Sequence, residues 1–97
     1  MVAIYRDVRE HQSISLNDGG RAIVFDWASA PAQNQNLVCL ELGGGMRWLA
    51  ELPTTDPNDC FVAVRLDGDL LLANTMSCYA VWIDPVTGRT LRSEFTK

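Results

Sequence analysis

The sequence predicts an all-β domain made of two similar antiparallel meanders. Apolar and polar residues alternate with period two along much of the chain, the pattern of half-buried strands. Glycine, proline, asparagine and aspartate interrupt this alternation at short intervals, as turn residues do between strands. The two halves of the 97-residue chain also align with each other, which indicates an internal repeat.

The alignment of the halves depends on apolar pattern and on turn glycines. A shift of about 43 positions places residues 38–41 on residues 81–84, and a shift of about 48 places Gly20 on Gly68. The difference is an insertion in the first repeat, within residues 29–35. We therefore expect one domain over residues 1–97, with repeat one at about 12–53 and repeat two at about 59–97.

Each repeat predicts a meander of four strands. In repeat one the strands lie near residues 13–17, 21–28, 36–42 and 46–52, and in repeat two near residues 61–66, 70–76, 79–84 and 90–95. Asp67-Gly68 between apolar runs is a hairpin signal, because glycine accepts positive φ without steric cost. Residues 2–8 alternate weakly and predict a ninth strand at a sheet edge, where their charges suit exposure.

Two turns carry a family resemblance. Residues 83–91, Ile-Asp-Pro-Val-Thr-Gly-Arg-Thr-Leu, resemble the L-D-x-x-T-G-x-x-x-W turn of quinoprotein-type (PQQ-like) β-propeller blades, and residues 40–48 resemble a second copy that ends on Trp48. The resemblance covers residues 12–97 and extends to small bacterial proteins that end in Phe-Thr-Lys. It implies blade-like sheets without cofactor chemistry, because a closed propeller needs at least four blades and Leu91 stands where tryptophan is usual.

Alternation then predicts the face that each residue occupies. The residues expected in the core are Ile14, Leu16, Val38, Leu40, Leu42, Trp48, Leu52, Val62, Val64, Val81, Ile83, Leu91 and Phe95. The residues expected on the opposite, polar face are Cys39, Glu41, Arg47, Glu51, Trp82, Asp84, Arg92 and Glu94. The two sheets would pack as a sandwich or a flattened barrel, or pair their outer faces between chains.

Composition excludes several classes of partner. The net charge is −4 and the single lysine is the last residue, so neither nucleic acid nor an anionic membrane is expected. No signal peptide or membrane-spanning run is visible. The three cysteines are an odd number without a short spacing, which predicts reduced thiols in a cytoplasmic protein.

No motif predicts catalysis or a bound metal. His11, the only histidine, lies in a polar segment that we expect to be a solvated linker, and no nucleophile motif accompanies it. Residues 56–59 concentrate oxygen ligands that could hold calcium, but they lack the spacing of a calcium loop and are explained by a turn. No cofactor is expected.

These observations favour a non-catalytic protein-interaction module that binds through an uncovered sheet face and the 29–35 loop. The candidate binding residues are Trp27, Glu41, Tyr79, Trp82 and Asp84, since exposed aromatic residues are enriched at binding hot spots. The alternative is a small acidic inhibitor or immunity-type protein that blocks a basic surface, with an enzyme third. The sequence also predicts a homodimer with Trp82 near its two-fold axis.

Overall fold

The computed structural model describes residues 8–28 and 35–96, and every regular element in those ranges is a β-strand. The strands are β1 (Glu10–Ser15), β2 (Arg21–Phe25), β3 (Leu37–Leu40), β4 (Met46–Leu49), β5 (Phe61–Asp67), β6 (Leu70–Thr75), β7 (Tyr79–Ile83) and β8 (Thr90–Phe95). None of these elements is a helix that could cross a bilayer.

The strands form two antiparallel four-stranded sheets in the simple orders β1-β2-β3-β4 and β5-β6-β7-β8. The two sheets pack together and do not close into a barrel, so the sandwich expectation is confirmed and the barrel alternative is wrong. All eight predicted strands are present, with ends shifted by a few residues. Of the predicted edge strand at residues 2–8, only Val8 lies in the described ranges, and it is not in a strand.

The main core lies between the sheets and draws on both of them. Its buried members are Ala22, Val24, Leu37, Cys39, Trp48, Ala50, Phe61, Val64, Leu71, Ala73, Val81 and Ile83. Ile14, Leu16, Leu52 and Tyr79 pack against this core from partly exposed positions. Since each sheet covers one face of the other, neither repeat could bury its apolar face alone.

The two sheets are meanders of the same kind, but they contribute opposite faces to the shared core. Just past β4 the N–H of Ala50 donates to the preceding strand at Leu37 O (3.0 Å), and Ala50 faces the core. Just past β8 the N–H of Thr96 donates to Cys78 O beside β7 (2.8 Å), and strand alternation points the N–H of Arg92 toward β7 in the same way. The side chain of Arg92 nevertheless lies on the outer face, against Trp82. In a strand of L-residues, the direction of the N–H group determines the face on which the side chain lies. The first sheet therefore packs with one face of the meander and the second sheet with the opposite face, so the two repeats stack front to back.

The predicted phase of β3 was wrong by one residue. Cys39 faces the main core, whereas Val38 and Leu40 lie on the other side of the sheet in a second cluster with Ile23 and Phe25. All four β3 residues are buried, so no alternation of polar and apolar residues marked either face. A slip of one residue moves every side chain to the opposite face.

Three further residues predicted for the core are exposed. Leu42 lies in the turn after β3 and is 81% exposed, while Leu91 and Phe95 lie on the edge strand β8 and are 52% and 59% exposed. Val62 is only half-buried. The buried positions of Trp48, Val64, Val81 and Ile83 confirm the remaining core of the two repeats.

One buried amide connects the sheets at their junction. Asn36 has no exposed surface, and its Nδ2 donates to Phe25 O (3.0 Å) and to Phe61 O (2.7 Å). Its Oδ1 accepts from Phe61 N (2.9 Å). The single side chain therefore bonds to the end of β2 and to the start of β5, and it ties backbone groups of the two sheets together.

Candidate functional site

The two outer faces of the sandwich differ in how far they are covered. On the first sheet, Ile23, Phe25 and Val38 point outward yet have no exposed surface, and Val8 and Leu49 pack against them. On the second sheet, Arg65, Leu72, Trp82 and Arg92 form one row of direct cross-strand neighbours on the outer side. Within the described part of the chain, only the second sheet thus presents a row of large side chains to solvent.

We call this row, with Asp67 and Glu94 beside it, the Trp82 face. Trp82 points outward because its strand neighbours Val81 and Ile83 both face the main core. Its Nε1 donates to Asp67 Oδ2 (2.8 Å), across the sheet on β5. The indole is half-buried, and the adjacent Leu72 is only 5% exposed although it lies on the outer side.

Two arginines flank the indole. The Arg92 guanidinium carbon lies 4.5 Å from the Trp82 ring centroid, which is cation–π geometry. Arg92 also forms an ion pair with Glu94 on the same strand. Arg65, at the other end of the row, is exposed and forms no ion pair within the described residues. The face therefore offers an aromatic surface and, as far as residues 8–28 and 35–96 show, one cation without an ion pair.

The other two aromatic candidates lie elsewhere. Tyr79 is on β7 with Trp82 but faces the opposite side, where it packs against the main core and lies 5.4 Å from the Phe95 ring. Trp27 follows β2 in the first sheet and makes an edge contact with His11 at 5.2 Å between ring centroids. His11 is an exposed residue of β1, so the expectation that it lies in a linker was wrong.

Glu41 belongs to an ion-pair cluster around Arg47. The two carboxylate oxygens of Glu41 accept from Arg47 Nε (2.6 Å) and Nη2 (3.0 Å). Asp18 Oδ2 lies 3.0 Å from Arg47 Nη1. The hydrogen bonds from Arg47 lower the pKa of both carboxyl groups, and the same hydrogen bonds raise the pKa of Arg47. Arg47 also donates to Pro85 O (3.3 Å), so the cluster links the two repeats.

Asp84 shapes the turn between β7 and β8. Its Oδ1 accepts from Val86 N (2.8 Å), and its backbone oxygen accepts from Gly88 N (2.8 Å). In the same turn, Pro85 O accepts from Trp48 Nε1 (2.9 Å), which docks the turn onto the first sheet. Glu41 and Asp84 thus stabilise the contact between repeats and lie apart from Trp82.

The structure therefore separates the five predicted binding residues among four places and leaves Trp82 on its own face. The predicted 29–35 loop falls outside the described residues except for Gln35. Sequence reasoning missed Arg65 and Asp67 as neighbours of Trp82. The two-residue hairpin at Gly68-Asp69 carried that information, because its length fixes Asp67 opposite Leu70 and Arg65 opposite Leu72.

Asp56 and Asp59 make structural contacts, and the Cys39 thiol is buried. Asp59 Oδ2 accepts from Thr54 Oγ1 (2.6 Å) and Ser77 Oγ (2.7 Å), and Asp56 Oδ1 accepts from Asn58 N (2.8 Å). Within residues 8–28 and 35–96 no three metal-ligating side chains cluster. Burial raises the pKa of the Cys39 thiol to about 11, which keeps it protonated at neutral pH.

The chain belongs to the family described as Domain of unknown function (DUF7957), whose model matches residues 11–95. That span runs from β1 to the end of β8 and includes the whole Trp82 face. Comparisons with curated proteins and with solved structures gave no match.

Proposed function

We propose that this member of the family is a non-catalytic protein-binding module that uses the Trp82 face. The carrying observation is the row Arg65–Leu72–Trp82–Arg92 on the only outer sheet face whose large side chains stay open to solvent in the described structure. Tryptophan and arginine are the residue types most enriched at protein-binding hot spots.

The hydrogen bond and the cation–π contact hold Trp82 in place before any partner arrives. Asp67 fixes the indole N–H, and Arg92 lies over the ring. A side chain that is already ordered loses less conformational entropy on binding than a mobile one. A partner segment would lay an apolar side chain against the Trp82 row and place a carboxylate next to Arg65.

The charges on this face favour a binding module over an acidic inhibitor. Arg65 and Arg92 lie on it with Asp67 and Glu94, so it carries both signs in equal number. The acidic residues that give the chain its net charge of −4 are not concentrated there. We therefore place the acidic-inhibitor function second, because no particular surface of the described structure supports it.

The test is affinity capture from the native host with four versions of the full chain as bait. We expect wild type and the control variant Val86→Ala, whose side chain lies in the β7–β8 turn, to retain the same partner. Trp82→Ala and Arg65→Glu should lose it, and mass spectrometry identifies it. Equal capture of the partner by all four baits would rule out the Trp82 face as the binding surface.

Salt dependence then separates the two functions for the captured partner. An interface centred on Trp82 should keep most of its affinity when ionic strength rises, because apolar burial is not screened. An inhibitor held by its net charge should lose affinity steeply over the same range. A steep loss would move the assignment to the second function.

We also propose that the protein works in a reducing compartment, in line with the expected cytoplasmic location. Cys39, Cys60 and Cys78 are all free thiols, and the first two are buried. Reducing compartments keep such thiols free, whereas secreted domains of this size usually pair them. Alkylation of denatured protein without reductant should modify all three cysteines, and a pair protected by a disulfide would contradict this location.

A further inference from the structure

Strand β8 leaves the second sheet with an open edge. It is the last strand in the order β5-β6-β7-β8, and all six of its residues are exposed. The opposite edge of the same sheet, β5, is covered by the first sheet, where Gln12 Oε1 accepts from Val64 N (2.8 Å). Exposed edges of this kind are where sheets pair with another strand.

The backbone of β8 has unpaired groups pointing outward. Thr96 N donates inward to Cys78 O on the β7 side (2.8 Å). Because consecutive residues of a strand direct their N–H and C=O groups to opposite sides, Ser93 and Phe95 point theirs away from β7. Residues 90–95 contain no lysine or proline, the residues that usually protect an edge.

We propose that β8 pairs antiparallel with β8 of a second copy of this chain, about a two-fold axis at Ser93. In that register Arg92 lies opposite Glu94 of the second copy, and Glu94 lies opposite its Arg92. Leu91 and Phe95 likewise face each other across the interface. Opposite charges and apolar pairs directly across a ladder stabilise it, and a two-fold axis repeats every contact twice.

The neighbouring registers are excluded by charge. Outward-facing groups must meet outward-facing groups, so the nearest alternative axes lie at Arg92 and at Glu94. An axis farther away, at Leu91 or at Phe95, would lose both pairings of Arg92 with Glu94. An axis at Arg92 places the two arginines opposite each other, and an axis at Glu94 does the same with the two glutamates. Like charges directly opposite destabilise a ladder, which leaves Ser93 as the centre.

Pairing at this edge also covers apolar surface that the monomer leaves in water. Leu91 and Phe95 are 52% and 59% exposed, and Phe95 lies against Tyr79 on the core side of the edge strand. The inference does not rest on the proposed function, because it uses the edge of the second sheet and leaves the Trp82 indole outside the interface, although Arg92 and Glu94 belong to both the edge and the Trp82 face. It also moves the expected dimer away from a two-fold axis at Trp82.

The test is sedimentation of the full chain with a charge reversal and its compensation, at about 100 μM since dimer populations depend on concentration. Wild type should sediment at twice the monomer mass. Glu94→Arg places arginines opposite each other and should give monomers. The double variant Arg92→Glu with Glu94→Arg restores opposite charges and should restore the dimer. Far-UV circular dichroism confirms that each variant remains folded.

Three outcomes would overturn the proposal: a monomeric wild type, a Glu94→Arg variant that remains dimeric, or a double variant that remains monomeric. Trp82→Ala is the control that separates this inference from the binding function. It should remain dimeric while it loses the captured partner. If Trp82→Ala dissociates the dimer instead, the interface is the Trp82 face and the β8 pairing is wrong.

Discussion

Gly88 shows how a single missing side chain allows the two repeats to meet. It has a φ of +76°, and a Cβ at this position would lie 2.5 Å from Cγ of Trp48. Trp48 is the buried aromatic whose Nε1 donates to Pro85 O three residues earlier in the same turn. Glycine is therefore required here for backbone conformation and for the close approach of the indole.

We predict that Gly88→Ala destabilises the protein by about 3 kcal/mol, from left-handed backbone strain plus overpacking against Trp48. Gly43→Ala is the matched control, since a Cβ there meets nothing within 4 Å and φ is not positive. Its free energy of unfolding should change by less than about 0.5 kcal/mol. Urea denaturation of both variants measures the difference, and equal midpoints would show that the turn does not contact Trp48 as described.

The buried amide of Asn36 gives a second residue-scale prediction. Asn36→Ala removes three hydrogen bonds from a fully buried site, two with the Phe61 backbone and one with Phe25 O. Each unsatisfied buried group costs about 1–3 kcal/mol, so we expect a loss of about 3 kcal/mol or more in the free energy of unfolding. Asn17→Ala, at an exposed turn position, should leave the free energy of unfolding nearly unchanged. A similarly small change for Asn36→Ala would contradict the role of Asn36 in joining β2 to β5.

The three thiols should differ sharply in reactivity. Cys39 and Cys60 have no exposed surface, whereas Cys78 is partly exposed. Because burial also raises the pKa of Cys39 to about 11, its thiolate is scarce at neutral pH. A thiol-reactive disulfide reagent should modify one cysteine of the native protein quickly and all three after denaturation. Two fast thiols in native protein would mean that one of the buried strands opens readily.

At the scale of elements, Asp59 organises the connection between the two sheets. Although burial raises the pKa of this carboxyl, hydrogen bonds from Thr54, Ser77 and Cys60 more than offset that effect, so the folded-state pKa is lowered. A lowered folded pKa means that the unfolded chain binds protons first as pH falls. The stability that Asp59 contributes is present above its unfolded pKa and is lost as pH falls through the folded value.

We therefore predict that wild type loses stability below about pH 4, near the unfolded pKa of aspartate, and that Asp59→Asn reduces this pH dependence. Asp69→Asn, in the exposed β5–β6 hairpin, should retain the wild-type dependence. Unfolding midpoints in urea between acid and neutral pH measure the slope. The hypothesis fails if the two variants show the same slope.

The elements also show what the sequence could and could not predict. Alternation and turn residues predicted all eight strands, and the Asp67-Gly68 hairpin and the Asp84–Gly88 turn appear where expected. The phase of β3 could not be predicted, because Leu37, Val38, Cys39 and Leu40 are buried on both sides. The neighbours of Trp82 required cross-strand register, which depends on turn length and on the bulges beside β4 and β8.

At the scale of the whole molecule, the front-to-back stacking explains the difference between the outer faces. The face that the first sheet buries against the second corresponds to the face that the second sheet presents to solvent, where Trp82 and Arg92 lie. The first sheet instead has apolar residues on both sides, since its outward Ile23 and Phe25 are also covered. Within the described residues the first repeat is therefore covered on its outer side while the second is open, and this asymmetry leaves the Trp82 face and the fully exposed edge strand β8 available to partners.

The shared core further implies that the two repeats unfold together. Nearly all of the buried apolar residues of the second sheet lie against the first, and Asn36, Trp48 and Arg47 bond across the junction. Losing either sheet would expose the buried face of the other, so no half-folded state should be populated.

Native-state hydrogen exchange tests this, because amides that open only by global unfolding report the same free energy. We expect the amides of the central strands β3 and β7 to agree, with those of the edge strand β8 lower because of local fraying. A consistently lower free energy for β7 than for β3 would show that the second repeat opens independently and that the junction contacts couple the sheets only weakly.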